Sequence, residues 1–121
     1  MAKILVLDDI PDAVLLLQKV LRLRGHEVIG VTDEEKAIAH ARSNPLDLLI
    51  LDIKLKKMSG IEVLEEIKKF NPSVKAIILT GYPTLETARR AKQLGAQEYC
   101  VKPVANDELE EVVARVLGVQ S

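Results

Sequence analysis

A chain of 121 residues has room for one hydrophobic core, because single domains run to about 100–200 residues, so residues 1–121 read as one domain. Its 48% hydrophobic and 29% charged content is that of a folding globular chain and excludes a disordered one. A net charge of −1, with Phe70, Tyr82 and Tyr99 as the aromatics, offers neither a field for a phosphate backbone nor a platform for stacked bases, which argues against nucleic-acid binding by this chain alone.

Met1 leads directly into strand-like sequence, without a basic segment followed by an apolar leader. No run approaches the roughly 18 apolar residues of a membrane span, so the expected compartment is the cytoplasm. The first strand, Lys3–Leu7, ends in Asp8 and Asp9, and Pro11 suits the first turn of a helix over 12–24 that Gly25 closes. That helix is more apolar than one buried stripe requires. Ala13, Leu16, Leu17 and Val20 are expected to face the core, which leaves Val14, Leu15 or Leu21 either deeply buried or part of a docking patch.

A strand at Glu27–Val31 and a helix at 34–43 follow, with His26 and His40 read as isolated surface residues. The third strand, Leu46–Leu51, is the near-continuous aliphatic run of a strand covered on both faces, yet it runs into Asp52. A helix at 60–69 leads to a strand at Ala76–Leu79, which ends in Thr80. A helix at 84–94 leads to a last strand, Glu98–Val101, followed by Lys102 and a helix over 106–117. Cys100 reads as a buried strand cysteine rather than a reactive thiol, with no second cysteine for a disulfide or a zinc cluster. Acids at Asp107, Glu108, Glu110 and Glu111 open the last helix, where they favour its dipole.

Strands separated by single helices run parallel through right-handed crossovers. The expected fold is therefore a doubly wound α/β protein, a five-stranded parallel sheet with helices on both faces. In such a sheet the loops after the carboxyl ends of the strands form one crevice, where ligands bind. Asp8, Asp9, Asp52, Thr80 and Lys102 all fall there. Taken singly, Asp9 or Asp52 could be a helix cap, Thr80 a strand residue and Lys102 a loop residue. Together, three carboxylates repel one another unless a cation or a lysine neutralises them, and a hard oxygen-loving ion such as Mg²⁺ suits them. No Cys or His lies in the cluster to suggest zinc.

The segments ILVLDD, LLILDIKLKKMSGIEVL, AIILTGY and EYCVKPV, in this order, resemble the receiver domain of bacterial two-component response regulators over the whole chain. The resemblance implies a CheY-like, flavodoxin-like fold with strand order 2-1-3-4-5. It also implies that Asp52 accepts a phosphoryl group from a histidine kinase or phosphotransfer domain. Asp9, Asp52 and the backbone carbonyl of Lys54 would hold Mg²⁺, and Asp8 would act on it through a water. Lys102 and Thr80 would stabilise the phosphoryl oxygens, and Thr80 with Tyr99 would turn phosphorylation into a change of the surface made by the fourth helix, fifth strand and fifth helix. That surface would meet a downstream protein or an attached output domain. Such a protein is a switch that assists its own phosphorylation and dephosphorylation rather than an enzyme acting on other substrates. In the family the peptide bond at the position of Lys102-Pro103 is commonly cis.

Lys56 stands where the family usually has proline, and Ser59 where an acid often precedes the glycine, which leaves the stiffness of this loop open. Gly81 leaves a phosphoryl group on Asp52 open to approach, whereas Lys54 and Tyr82 are large residues expected to flank it and slow an attacking water. An aspartyl-phosphate phosphatase is the main rival, but it would carry an acid where this chain has Lys54. A receiver-like binding module without phosphorylation is opposed by the intact acidic set, and DDIPD replaces the glycine-rich turn that dinucleotide binding requires. The chain ends four residues after Leu117, which fits a stand-alone receiver and the front of a longer regulator alike.

Overall fold

The computed structural model describes residues 2–118. The expectations drawn from Met1 and from the last three residues lie outside that range. Strands and helices alternate as β1 (Lys3–Leu7), α1 (Pro11–Arg22), β2 (Glu27–Val31), α2 (Glu34–Ser43), β3 (Leu48–Asp52), α3 (Gly60–Phe70), β4 (Lys75–Thr80), α4 (Leu85–Gln93), β5 (Glu98–Val101) and α5 (Asn106–Leu117). All neighbouring strands pair in parallel, in the order β2-β1-β3-β4-β5. No helix among the described residues is long and apolar enough to cross a membrane.

The two-residue period of the strands divides the core into two layers. Leu5, Leu7, Leu49, Leu51, Ala76 and Ile78 pack with Ala37 and Ala41 of α2, Leu64 and Ile67 of α3 and Ala91 of α4. On the other face Ile4, Val6, Leu48, Ile50, Ile77 and Leu79 pack with Leu21 of α1 and Leu109, Val112, Val113 and Val116 of α5. The central strand β3 is buried at every position because both of its faces are covered.

Several boundaries differ from the sequence reading. β3 begins at Leu48 and not Leu46, and just before it the Asp47 carboxylate accepts the Lys3 N–H at 2.8 Å. It runs on through Asp52, which pairs with Leu79 of β4. β4 likewise extends to Lys75 and Thr80 at its two ends.

The apolar stripe of α1 is turned from the expected setting. Val14, Val20 and Leu21 are buried, whereas Leu16, expected in the core, is 52% exposed beside Leu15 at 61%. The spacing Val14, Leu17, Leu21 places one helical stripe against the sheet. That rotation turns Leu16 outward, into a cleft that it shares with Ala13, Leu17, Pro103, Val104 and Leu109. His26 is half-buried, its Nδ1 accepting the Ala2 N–H at 3.3 Å, rather than an isolated surface residue.

Gly60 fixes how the helix after β3 meets the strand. A Cβ there would lie 2.0 Å from the backbone oxygen of Asp52, so only glycine lets the first turn of α3 pack on that peptide. Ser59 and Glu62 form a reciprocal capping box at the same point.

Candidate functional site

Asp8 follows β1, Asp52 ends β3 and Lys102 follows β5, so the carboxyl ends of three strands bring their side chains into one crevice. Oxygens of Asp8, Asp9 and Asp52 all lie within 4.8 Å of one another. Lys102 Nζ lies 2.6 Å from Asp8 Oδ2 and 3.2 Å from Asp52 Oδ2. Parity explains part of this arrangement: Asp52 points to the same side of the sheet as Leu48 and Ile50, the face that α1 and α5 cover.

The helix-cap explanation of Asp9 does not hold. The N-cap of α1 is Ile10, which makes no side-chain cap bond, and Pro11 begins the helix. Asp8 instead turns its Oδ1 to the Ile10 N–H at 3.0 Å, which leaves Oδ2 for Lys102.

Burial pushes the Asp52 carboxyl above its ordinary value; Lys102 pulls it down and the neighbouring Asp8 pushes it further up. Burial alone would lower Lys102, but its bond to Asp8 and the charges of both aspartates outweigh that and raise it. One ammonium against three carboxylates leaves an excess of negative charge. The donor set is hard oxygen throughout, in a crevice that Asp9 leaves partly open. These residues fit a small divalent cation such as Mg²⁺ far better than a soft metal.

The remaining residues singled out from sequence lie around this centre. Thr80 ends β4, fully buried, and its Oγ1 accepts the Tyr82 N–H at 3.0 Å, which leaves the hydroxyl proton for another acceptor. The Lys102 N–H bonds the Thr80 carbonyl at 2.8 Å, tying the two strand ends together. Lys54 donates its N–H toward Asp52 Oδ1 at 3.4 Å, and its ammonium lies 4.2 Å above the Tyr82 ring. Gly81 is exposed, and a Cβ there would touch nothing. The Lys102-Pro103 peptide bond is cis.

Tyr99 is half-buried, and its hydroxyl bonds Thr87 Oγ1 at 2.7 Å and accepts the Thr84 N–H at 3.4 Å. Thr84 and Thr87 form the capping box of α4, so the ring at β5 is joined to the first turn of that helix. Sequence reading named Tyr99 but missed both threonines. It also missed Glu34, a buried carboxylate at the start of α2 that bonds the Lys57 and Met58 N–H groups of the loop after β3. Within the run Asp33-Glu34-Glu35 nothing marked it apart from ordinary acids of a first helical turn.

The chain belongs to the response regulator receiver domain family, whose model matches residues 4–114. Receiver domains are the phosphoaccepting modules of two-component systems, and the strand order seen here is that of their CheY-like flavodoxin fold. Over 95% of its length the chain is 38% identical to the transcriptional regulatory protein ZraR of Klebsiella oxytoca, and it spans 26% of that longer protein. It is 31% identical to sporulation initiation phosphotransferase F of Bacillus subtilis, with 98% of this chain and 96% of the relative covered. Among solved structures, response regulator protein TrrA from Thermotoga maritima, in complex with Mg²⁺ and BeF, superposes with a TM-score of 0.86 at 37% identity, covering 96% of this chain and 99% of that one.

The upward shift of Asp52 makes a prediction about stability. A carboxyl whose folded pKa lies above its unfolded value of 3.8 favours the fold only while protonated, and that contribution is lost as the pH rises through the folded pKa. Asp52→Asn is therefore expected to melt at a higher temperature than the wild type at pH 7 without Mg²⁺, and the gap should close as the pH falls below the ordinary carboxyl range. Melting curves across that pH interval check it; equal midpoints at neutral pH would contradict the direction of the shift.

Proposed function

We propose that this chain is a phosphorylation-controlled switch in which Asp52 takes a phosphoryl group from a phosphohistidine of a histidine kinase or phosphotransfer protein. The observation that carries the reading is the convergence of Asp8, Asp9 and Asp52 with Lys102 Nζ 3.2 Å from the Asp52 carboxylate. An oxygen of Asp52 attacks phosphorus, the bond from phosphorus to the donor imidazole nitrogen breaks, and the electron pair stays on that nitrogen. The protein's part is positioning and charge stabilisation, which is most of what phosphoryl transfer asks of it.

Asp9, Asp52 and the carbonyl of Lys54 are the residues proposed to hold Mg²⁺, with Asp8 acting through a water. When bound, the ion offsets the negative charge that gathers on the transferring oxygens. Lys102 shares that role: its ammonium already spans Asp8 and Asp52 and can pass to a phosphoryl oxygen as charge builds on Asp52. Thr80 offers its remaining hydroxyl proton to a second oxygen. A shift of Thr80 toward that oxygen breaks its bond to the Tyr82 N–H and opens space beside Tyr99, whose own bonds lead to the capping box of α4. Phosphorylation is thereby coupled to the α4–β5–α5 surface, where Leu85 and Val101 stand exposed for a downstream protein or output domain.

The phosphodonor is expected to approach over α1. Ile10, Leu15 and Leu16 are exposed at the same end of the molecule as Asp52 or along the helix beside it, and the cleft between α1 and the β5–α5 loop offers an apolar seat for a helix bundle. The cytoplasm is the compartment this partnership implies. The spans of ZraR and phosphotransferase F leave room for both forms of the protein, attached to an output domain or standing alone.

Intact mass after incubation with acetyl phosphate tests the reading. A gain of one phosphoryl group that requires Mg²⁺ and disappears in Asp52→Ala is expected; a gain retained by the mutant, or none in the wild type, would overturn it. The phosphorylated protein is also expected to be long-lived, because the Lys54 ammonium seated on the Tyr82 ring screens one approach to Asp52. Replacing both residues with serine should shorten the half-life of the label severalfold in a chase followed by mass, and an unchanged half-life would remove the pair from the account.

A further inference from the structure

Glu34 places a charge inside the protein, away from the phosphoacceptor crevice. It follows Asp33, the N-cap of α2, and is 1% exposed, a burial that an unpartnered carboxylate does not tolerate. Apart from its own N–H, its partners lie outside its helix. Glu34 Oε2 accepts the backbone N–H of Lys57 and, at 3.0 Å, that of Met58, both on the loop between β3 and α3. Burial by itself would raise the Glu34 carboxyl, but bonds from its own N–H and those of Lys57 and Met58 together hold it below its ordinary value. Asp33 adds an ion pair with Lys57 Nζ at 3.1 Å.

The loop is thereby held at two places. At its base the Gly60 N–H bonds the Ile53 carbonyl at 2.9 Å, and the Lys54 N–H lies 3.4 Å from Asp52 Oδ1. On its far side Glu34 holds residues 57 and 58. Lys54 lies between these anchors, and Lys56 supplies none of the backbone rigidity that a proline would. Without Glu34 two N–H groups in a part-buried setting would lose their acceptor, and on that side only the side-chain pairs of Lys57 with Asp33 and Glu35 would tie the loop to α2.

We propose that Glu34 is a positioning residue for the divalent-cation site, fixing loop 53–59 so that the Lys54 carbonyl stays at the spacing from Asp9 and Asp52 that Mg²⁺ requires. Mg²⁺ tolerates little departure from octahedral geometry, so the placement of a backbone ligand bears directly on affinity. Groups that orient metal ligands without touching the metal have this effect elsewhere. The inference rests on the receiver reading through its Mg²⁺ site.

Calorimetric Mg²⁺ titration of the full chain, with melting curves as a control for folding, separates reach from charge. Glu34→Asp keeps the charge but draws the carboxylate back by one methylene, and is expected to bind Mg²⁺ roughly tenfold more weakly. Glu34→Gln keeps the reach and an acceptor oxygen without the charge, and is expected to stay close to the wild type. An Asp variant that binds as the wild type does, or a Gln variant that loses as much as Asp, overturns the proposal.

A second measurement needs no variant. Coupling between the metal and the Glu34 contacts is reciprocal, so Mg²⁺ should slow hydrogen exchange at the Lys57 and Met58 amides of the wild type. Exchange there unchanged by saturating Mg²⁺ also overturns it. A wild type that takes up no Mg²⁺ at all sinks the proposed Mg²⁺-dependent switch itself, and is told apart by the absence of binding in every protein tested.

Discussion

Two buried carboxylates can both stay ionised in one crevice only if a positive charge offsets them, and Lys102 supplies it by reaching Asp8 and Asp52 with one ammonium. The three residues stand at the carboxyl ends of three different strands, so the pairing depends on the order β2-β1-β3-β4-β5, which places β3 between β1 and β4 and brings β5 in at the edge. The same lysine donates its backbone N–H to the Thr80 carbonyl, which locks the end of β5 to the end of β4. The charge balance is nevertheless incomplete, since Asp9 adds a third carboxylate to the cluster. A site left negative in this way stores the capacity to take up a cation, at some cost to the stability of the empty fold.

The surroundings divide into parts that hold still and parts that can change partners. Gly60 packs on the Asp52 peptide and Glu34 grips the following loop, so the strand end that carries Asp52 is braced from both α3 and α2. The Thr80 hydroxyl and the Tyr99 hydroxyl are held by few, exchangeable bonds, one to the Tyr82 N–H and two to the threonines that cap α4. A charge change at Asp52 therefore meets resistance on the β3–α3 side and compliance on the β4–α4 side. That difference supports the proposed exit of a signal through the α4–β5–α5 surface.

Much of this was legible in the sequence because it rests on short-range patterning. Aliphatic runs such as LLIL mark strands covered on both faces, and acids or a lysine directly after such runs fall at one edge of a parallel sheet by topology alone. Asp8, Asp9, Asp52, Thr80 and Lys102 were found in that way and lie together in the structure. The stripe of α1 was misread because every position from Val14 to Leu17 is apolar, so periodicity could not say which side faces the sheet. Leu16 turned out to face the cleft beside α5. Glu34, Thr84 and Thr87 were invisible for a different reason: each looks like an ordinary first-turn or cap residue, and its second partner lies on an element that only the folded chain brings near.

An Asp52 oxygen is the atom proposed to receive phosphorus, with cation and lysine sharing the charge. A crystal structure of the protein grown with Mg²⁺ and beryllofluoride examines that claim most directly. It is expected to show beryllofluoride bonded to an Asp52 oxygen, Lys102 Nζ and Thr80 Oγ1 on its fluorines, and Mg²⁺ on Asp9, Asp52 and the Lys54 carbonyl. Lys102 still bridging Asp8 and Asp52, with neither ion bound at saturating concentrations, would contradict it.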